Sequence, residues 1–338
     1  MSKAIRTALI GCAHIHTPNF VKRMNERADV EVAGVWDHDE KRAKANADAL
    51  STGVIADLET IWNDRAIDAV VICSETDRHL DLVLAAAKAG KPMFVEKPLG
   101  FSGADAKLMA DAIAKAGVLF QTGYFMRGNP LFRFVKSSIE AGHFGRVTRV
   151  RHQNCHSGSL GGWFDTDWRW MADPAVAGCG AFGDLGTHSL DLLMYLMGRP
   201  MLVTADLAVV TGRYGSECEE TGEGYLRFAD GVLGSIAGAW VDVANPVTLE
   251  VSGTEGHAVI FNGELYFKSN KVEGADGKTP WTRLGPELKH AFELFFDALA
   301  GEKTPLVTVE EAADRNAVME ALYRGAKEQR WVAPVYRH

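Results

Sequence analysis

The pattern of hydrophobic and polar positions changes near residue 124. Before that point, short apolar runs alternate with alanine-rich stretches whose apolar residues recur at helical spacing. The runs predict strands at residues 7–10, 30–36, 69–73, 92–95 and 119–123, with helices at 18–27, 40–49, 78–89 and 104–116. Apolar strands separated by crossover helices are typical of a parallel sheet that is covered on both faces. The first part of the chain therefore predicts a doubly wound α/β domain.

After residue 124 the strands alternate apolar and polar residues, as at 225–228 and 248–252. Alternation favours a mostly antiparallel sheet with one covered face. Helices are predicted at 131–141, 287–300 and 309–328, and the last two could pack back on the first domain. Because 338 residues exceed what one core usually supports, we predict two domains: a nucleotide-binding domain at 1–124 and an α+β domain for substrate binding and oligomerisation at 125–338.

Composition and charge narrow the possible partners. The net charge is −8 and the pI is near 5.8, which argues against nucleic acid because binding to phosphates needs a basic surface. No stretch reaches membrane-spanning length. The five cysteines are scattered without a CxxC pair, and the first residues lack the apolar run of a signal peptide. These features predict a cytoplasmic protein that binds small molecules.

A substituted phosphate-binding loop follows the first strand. Residues 11–16 occupy the place of the GxGxxG dinucleotide fingerprint but keep only its first glycine. That glycine permits the tight turn, and the N-terminus of the next helix can bind an anion through its amide groups. We therefore expect a pyrophosphate to contact Gly11, Cys12, Ala13, His14 and Ile15.

Asp37 closes the second strand at the spacing expected of a ribose-binding carboxylate. A carboxylate there would accept hydrogen bonds from the ribose diol and repel a 2′-phosphate, so we predict NAD in preference to NADP. The alternative is that Asp37 caps the following helix. Cys12, His14 and His16 could instead bind a metal, but no further ligand cluster is visible, so no metal is predicted.

Two later segments carry candidate acid–base groups. Glu96 and Lys97 end a short apolar strand, where ligands bind in open α/β sheets. Asp184 and His188 are four residues apart on a predicted helix and so share one face. His188 could remove the proton of a hydroxyl group that loses a hydride, because the pKa of histidine lies near neutrality. The alternative is a helix cap with a half-buried histidine, which the surrounding glycines and the lysine segment disfavour.

Candidate substrate contacts lie on either side of the predicted domain boundary. Aromatic faces suit the C–H surfaces of sugar rings, and arginines can hold oxygen or acid groups. Two residues directly follow the last strand of the first domain, and the others precede the glycine cluster. The candidates are Tyr124, Arg127, Trp168 and Arg169, with the tryptophans Trp163 and Trp170 beside them.

These residues resemble the Gfo/Idh/MocA family of oxidoreductases. The resemblance rests on the N-terminal loop, residues 96–98 (EKP), the segment 178–188, residues 253–256 and the C-terminal stretch 308–312. It implies a Rossmann domain joined to an open-faced sheet domain that forms homodimers or homotetramers. It implies NAD or NADP as hydride carrier and a sugar or inositol as substrate. It also implies catalytic roles for Lys97, Asp184 and His188, and cofactor contacts for Ser74, His79 and Glu96.

Two other functions remain open at this point. One is a redox-neutral enzyme that keeps NAD tightly bound while it cleaves a glycoside or exchanges hydride between sugars. The other is a nucleotide-sensing regulator without catalysis. Retention of the lysine, the aspartate and the histidine counts against the regulator, because a sensor needs no acid–base set.

Overall fold

The computed structural model describes residues 4–336, and its first sheet has five parallel strands in the order β2-β1-β3-β4-β5. The prediction of a doubly wound parallel sheet is therefore confirmed. The elements of this part are β1 (Ile5–Ile10), α1 (Thr17–Glu26), β2 (Val30–Trp36), α2 (Glu40–Ala49), α3 (Leu58–Asn63), β3 (Ala69–Ile72), α4 (His79–Lys88), β4 (Met93–Val95), α5 (Gly103–Ala116) and β5 (Phe120–Thr122).

Local sequence sets the ends of these helices. The side chain of Asp39 accepts hydrogen bonds from the first turn of α2, and Ser102 does the same for α5. Helix α5 ends at Gly117, whose φ of +64° places it in the left-handed region that glycine adopts without strain. Strands β3 and β4 are buried along their whole length because helices cover both faces of the sheet.

The second sheet has eight strands in the order β13-β12-β11-β10-β6-β9-β8-β7. Strands that are adjacent in this sheet pair antiparallel, except β6 and β9, which run parallel. The prediction of a large, mostly antiparallel sheet is therefore confirmed. Its strands, with the helices that precede or cover it, are α6 (Pro130–Glu140), β6 (Val147–Cys155), α7 (Pro174–Ala177), α8 (Ala181–Met197), β7 (Leu202–Ala208), β8 (Thr221–Arg227), β9 (Leu233–Ala239), β10 (Val247–Gly253), β11 (Gly256–Phe261), β12 (Glu264–Ser269) and β13 (Asp276–Pro280).

Two C-terminal helices, α9 (Ala291–Leu299) and α10 (Val309–Glu328), return to the first domain. Helix α9 packs against β5, while α10 contacts α5 on one side and β7 on the other. The predicted start of α9 at residue 287 is wrong, because His290 and Glu293 form a capping box that begins the helix at Ala291. Between residues 4 and 336, no helix combines the length and the apolarity that a membrane crossing requires.

A buried group of charges joins the segment after β5 to α8 and α10. Arg127 donates to both carboxylate oxygens of Asp191, at 2.9 Å from Nε and 2.5 Å from Nη2, and to Glu311 at 2.9 Å. Arg315 donates to Asp191 at 2.9 Å. The side chain of Asp191 is only 1% exposed, so two guanidinium groups depend on one desolvated carboxylate.

Replacing Asp191 tests this network. We expect Asp191→Asn to lower the free energy of unfolding by about 3–5 kcal/mol, because it leaves two largely buried arginines without their shared counter-charge. Urea denaturation followed by tryptophan fluorescence measures the change. Glu140→Gln, which removes an exposed partner of Lys136, is the control, with an expected loss of about 0.5 kcal/mol or less. Equal losses in the two variants would contradict the assignment.

Candidate active site

The loop after β1 builds a nucleotide-sized groove. Gly11 has a φ of +74°, and a Cβ there would lie 2.6 Å from the backbone of Ser74, so only glycine fits. Within residues 4–336, the amides of Ala13 and Ile15 donate no hydrogen bond, which leaves them available to an anion at the start of α1. The adjoining cavity of about 600 Å³ is lined by Cys12, Ala13, Thr17, Pro18, Asp39, Lys41, Arg42, Ala45, Asn46, Thr166, Asp167 and Trp168. These residues fit the pyrophosphate predicted from the sequence.

Asp37 lies under this groove, and its carboxylate accepts four hydrogen bonds from the protein. Its oxygens accept hydrogen bonds from the amides of Cys12 at 2.7 Å and Asp39 at 2.8 Å. Arg42 donates twice more, at 3.1 and 2.8 Å. Nη2 of Arg42 also reaches Glu75 at 2.8 Å. A carboxylate has about four acceptor sites, so Arg42 occupies the positions that a ribose diol would use.

His14, His16 and Glu96 form a cluster beside the groove, with ligand atoms within 4.8 Å of one another. Nδ1 of His16 lies 3.0 Å from Glu96, whose side chain is fully buried. Although burial raises its pKa, the neighbouring histidines and Lys97 lower the pKa of Glu96 well below its usual value. Nδ1 of His14 accepts from the amide of His16 at 3.2 Å. The proton of a neutral His14 then sits on Nε2, which lies 3.9 Å from Oε2 of Glu96.

Lys97 and Asp184 meet across the two domains. Nζ of Lys97 donates to Oδ1 of Asp184 at 2.6 Å, and the lysine side chain is 3% exposed. The second oxygen of Asp184 accepts from the indole of Trp240 at 3.1 Å. Burial opposes both charges, yet the attraction between them raises the pKa of Lys97 and lowers the pKa of Asp184. The pair therefore stays ionised.

His188 lies one turn after Asp184 on α8 and is 4% exposed. Burial, reinforced by the charge of Lys97, lowers its pKa to about 3. Within residues 4–336, neither ring nitrogen makes a hydrogen bond, and Nδ1 is a buried polar atom without a partner. The ring packs against Phe125 and Tyr124 with centroid separations of 5.4 and 6.0 Å. His188 is thus a neutral imidazole with a ring nitrogen unpartnered within the described residues.

Other contacts hold the segment that carries Lys97. The bond between Lys97 and Pro98 is cis. The ring of His79 is buried, and its Nδ1 lies 3.1 Å from the carbonyl of Pro98 and 3.2 Å from that of Leu99. Ser74 is also buried, and its hydroxyl donates to the Glu75 carbonyl at 3.0 Å.

The predicted substrate residues have different surroundings. The Tyr124 hydroxyl is hydrogen-bonded to Thr187 at 2.9 Å, and Arg127 belongs to the buried charge network. Trp168 lines the nucleotide groove. Arg169 lies over the ring of Tyr214 at 4.9 Å and donates to the carbonyl of Ala172 at 3.0 Å. None of the four has a polar group directed at the Lys97–Asp184 pair in these contacts.

Several residues shape the site through contacts that the sequence did not predict. Trp240, directly after β9, holds Asp184, and Trp170 donates to the carbonyl of Ala13 at 2.9 Å across the domains. His16, a possible metal ligand from the sequence, is hydrogen-bonded to Glu96. No strand was predicted at residues 233–239, where the structure has β9, so the sequence pattern gave no signal for Trp240.

The neutral buried histidines predict a pH dependence of stability. The pKa values of His14, His152 and His188 are lowered to about 3, chiefly by burial. The unfolded chain takes up protons near pH 6.5, where the folded chain does not. The free energy of unfolding should therefore be highest above pH 6.5 and should fall towards pH 5, by at most about 2 kcal/mol per histidine.

Urea denaturation at pH 7.5 and 5.0 measures this fall, since carboxylates titrate mainly below that range. In His152→Asn the fall should be smaller by the contribution of one histidine, at most about 2 kcal/mol, because the other buried histidines, whose pKa values are also lowered, keep theirs. If His152→Asn has the same pH dependence as the original protein, the buried histidine is not a cause of the fall in stability.

Fold and site together define a two-domain oxidoreductase with an NAD-binding Rossmann domain. A family profile described as the oxidoreductase family, NAD-binding Rossmann fold, matches residues 5–124. The profile of the GFO/IDH/MocA C-terminal domain matches residues 132–259. Because the two matches cover more than half of the chain, the chain belongs to the Gfo/Idh/MocA family, as the sequence resemblance indicated.

Individual relatives agree with this membership. Levoglucosan dehydrogenase of Pseudarthrobacter phenanthrenivorans is 30% identical over 256 residues, which are 67% of this chain and 65% of that protein. The scyllo-inositol 2-dehydrogenase (NAD(+)) of Bacillus subtilis is 26% identical over 324 residues, 91% of this chain and 90% of that protein. A solved levoglucosan dehydrogenase with NADH and levoglucosan has a TM-score of 0.83 at 22% identity, covering 98% of this chain and all of that one.

Proposed function

We propose that this protein is a dehydrogenase, or a reductase in the reverse direction, that moves a hydride between a nicotinamide cofactor and a secondary alcohol of a sugar, sugar derivative or inositol. The observation that carries the proposal is the ionised Lys97–Asp184 pair beside the neutral His188. Lys97 follows β4 at the carboxyl-end edge of the sheet, the same edge as the groove after β1, and α8 supplies Asp184 and His188.

Each residue of the site has its own role in the proposed hydride transfer. The bound dinucleotide supplies the hydride acceptor. His188, neutral and without a hydrogen-bond partner within residues 4–336, takes the proton of the substrate hydroxyl. Lys97, held by Asp184, donates to the same oxygen and stabilises the charge that develops on it. Lys97 and His188 are buried and the side chain of Asp184 is only 14% exposed, which limits the access of water and strengthens these interactions.

The names of the relatives support this substrate class. They include dehydrogenases for levoglucosan, scyllo-inositol and myo-inositol and a reductase for 1,5-anhydro-D-fructose. All of these substrates carry ring hydroxyl or carbonyl groups. Oligomerisation through the large sheet and a cytoplasmic location remain predictions.

The redox-neutral alternative would use the same residues and differs in cofactor exchange. An enzyme that keeps its cofactor through the catalytic cycle would be purified with NAD bound, whereas a dehydrogenase would release it. The regulator alternative has less support, because a buried ion pair beside an unengaged histidine costs stability that a sensor does not need.

For the cofactor we propose NAD over NADP, with Arg42 setting how strong that preference is. Two buried carboxylates, Asp37 and Glu75, lie beside the ribose position and disfavour a 2′-phosphate. Arg42 binds both and cancels part of this charge. The preference should therefore be moderate while Arg42 is present.

Arg42→Ala should make the enzyme more selective for NAD. The change frees two acceptor positions on Asp37 for the ribose diol and leaves its charge facing a 2′-phosphate, so the ratio of the Kd for NADP to that for NAD should rise about tenfold or more. Quenching of tryptophan fluorescence measures both constants. Lys44→Ala, which removes an exposed partner of Asp48 on the same helix, should leave the ratio unchanged. A ratio that stays constant in Arg42→Ala would exclude this role.

His188→Asn tests the acid–base assignment. Removing the proton acceptor should lower kcat by about 10² to 10⁴ while the Kd for NADH stays within about twofold. Turnover is followed by absorbance of the reduced nicotinamide on a panel of sugars and cyclitols. His152→Asn, a buried histidine that bonds to Ser189 behind the site, controls for loss of folding. Undiminished turnover in His188→Asn would remove the proposed base.

A further inference from the structure

A histidine and a tryptophan lie next to the catalytic pair without being part of it. His156 follows β6, and its amide donates to the carbonyl of Ala239 at 2.9 Å on the neighbouring strand β9. The next residue on that strand is Trp240, whose indole binds Asp184. Because β6 and β9 pair in parallel, His156 lies beside Trp240, the residue that holds the catalytic carboxylate.

The proton of His156 has a fixed position. The amide of Gly158 donates to Nδ1 at 2.9 Å, so a neutral ring carries its hydrogen on Nε2. Burial lowers the pKa of His156, with Lys97 acting in the same direction and Asp184 against it, which keeps the ring neutral at physiological pH. No other described residue forms a hydrogen bond with Nε2. His156 thus presents one unused N–H donor.

Trp163 covers one side of this imidazole. The ring centroids are 4.7 Å apart at an angle of 38°, and the tryptophan is 47% exposed. Gly158 makes the stack possible, because a Cβ there would lie 2.7 Å from the histidine ring and 2.9 Å from the indole. The exposed area of the indole is a flat apolar surface at the rim of the site.

The cations near this surface are already bound to other groups of the protein. The arginines that could bind a carboxylate or phosphate are engaged: Arg169 with Tyr214 and Ala172, and Arg213 with Asp165. Lys97 is neutralised by Asp184. The recognition groups that remain are a neutral N–H donor and an aromatic face, which together suit a hydroxylated ring without charge.

We propose that His156 and Trp163 form a subsite for an uncharged sugar or cyclitol ring. Trp163 packs against the C–H face of the ring, and Nε2 of His156 donates to a ring or hydroxyl oxygen away from the carbon that is oxidised. This inference rests on the proposed function and narrows its substrate class to neutral saccharides and cyclitols. Sugar acids and sugar phosphates are disfavoured.

The test uses the whole protein with NAD and a panel of neutral rings, namely levoglucosan, myo-inositol and glucose, beside glucuronate and glucose 6-phosphate. For the best neutral substrate, Trp163→Ala and His156→Phe should each raise KM about tenfold and change kcat less than threefold. Trp163→Phe should recover most of the affinity, because it keeps an aromatic face. The Kd for NADH should stay within about twofold in every variant.

Trp331→Ala is the matched control, since Trp331 is also partly exposed but lies against Arg227 on the large sheet. Its KM should equal that of the original protein. Unchanged KM in Trp163→Ala and His156→Phe, or faster turnover of the anionic rings, would overturn the subsite while leaving the dehydrogenase intact. If the original protein binds NADH but turns over none of the panel, the proposed function fails, and the subsite fails with it.

Discussion

Lys97 and Asp184 form an ion pair that is closed off from solvent between the two domains. Their atoms are 2.6 Å apart, and their side chains are 3% and 14% exposed. Removing two charges from water costs several kcal/mol for each ion, so such a pair persists only where the geometry and further hydrogen bonds compensate. Neither domain supplies both partners. The chemistry of the site is therefore tied to the docking of the Rossmann domain on the sheet domain.

The surroundings of the pair provide that compensation from several directions. Trp240 binds the second oxygen of Asp184, and His79 binds the carbonyls that follow Lys97. Trp170 connects the sheet domain to the nucleotide loop through the carbonyl of Ala13. Farther out, Asp191 joins two arginines from different elements. The polar contacts concentrate along the domain boundary, where they fix position and direction more than they add stability.

Much of this architecture was predictable because it depends on local spacing. Buried parallel strands read as continuous apolar runs, and alternation identified the second sheet. Lys97, Asp184 and His188 were found because each belongs to a short segment whose strand end or helix face is set by neighbours in sequence. The partners of charged side chains were not predictable in this way. Arg127 follows β5 at the domain boundary, yet its guanidinium is bound by residues 64 and 184 positions away.

The sequence by itself determined the two sheets, the turn at Gly11, the family membership and the three groups proposed for proton and hydride chemistry. Periodicity and short motifs report on neighbours within a few residues, and these features need nothing more. Only the tertiary structure decided which carboxylate each cation neutralises, which nitrogen of His156 carries the proton, and that His188 is buried and neutral. Those outcomes depend on contacts between distant segments and on the water that such contacts exclude.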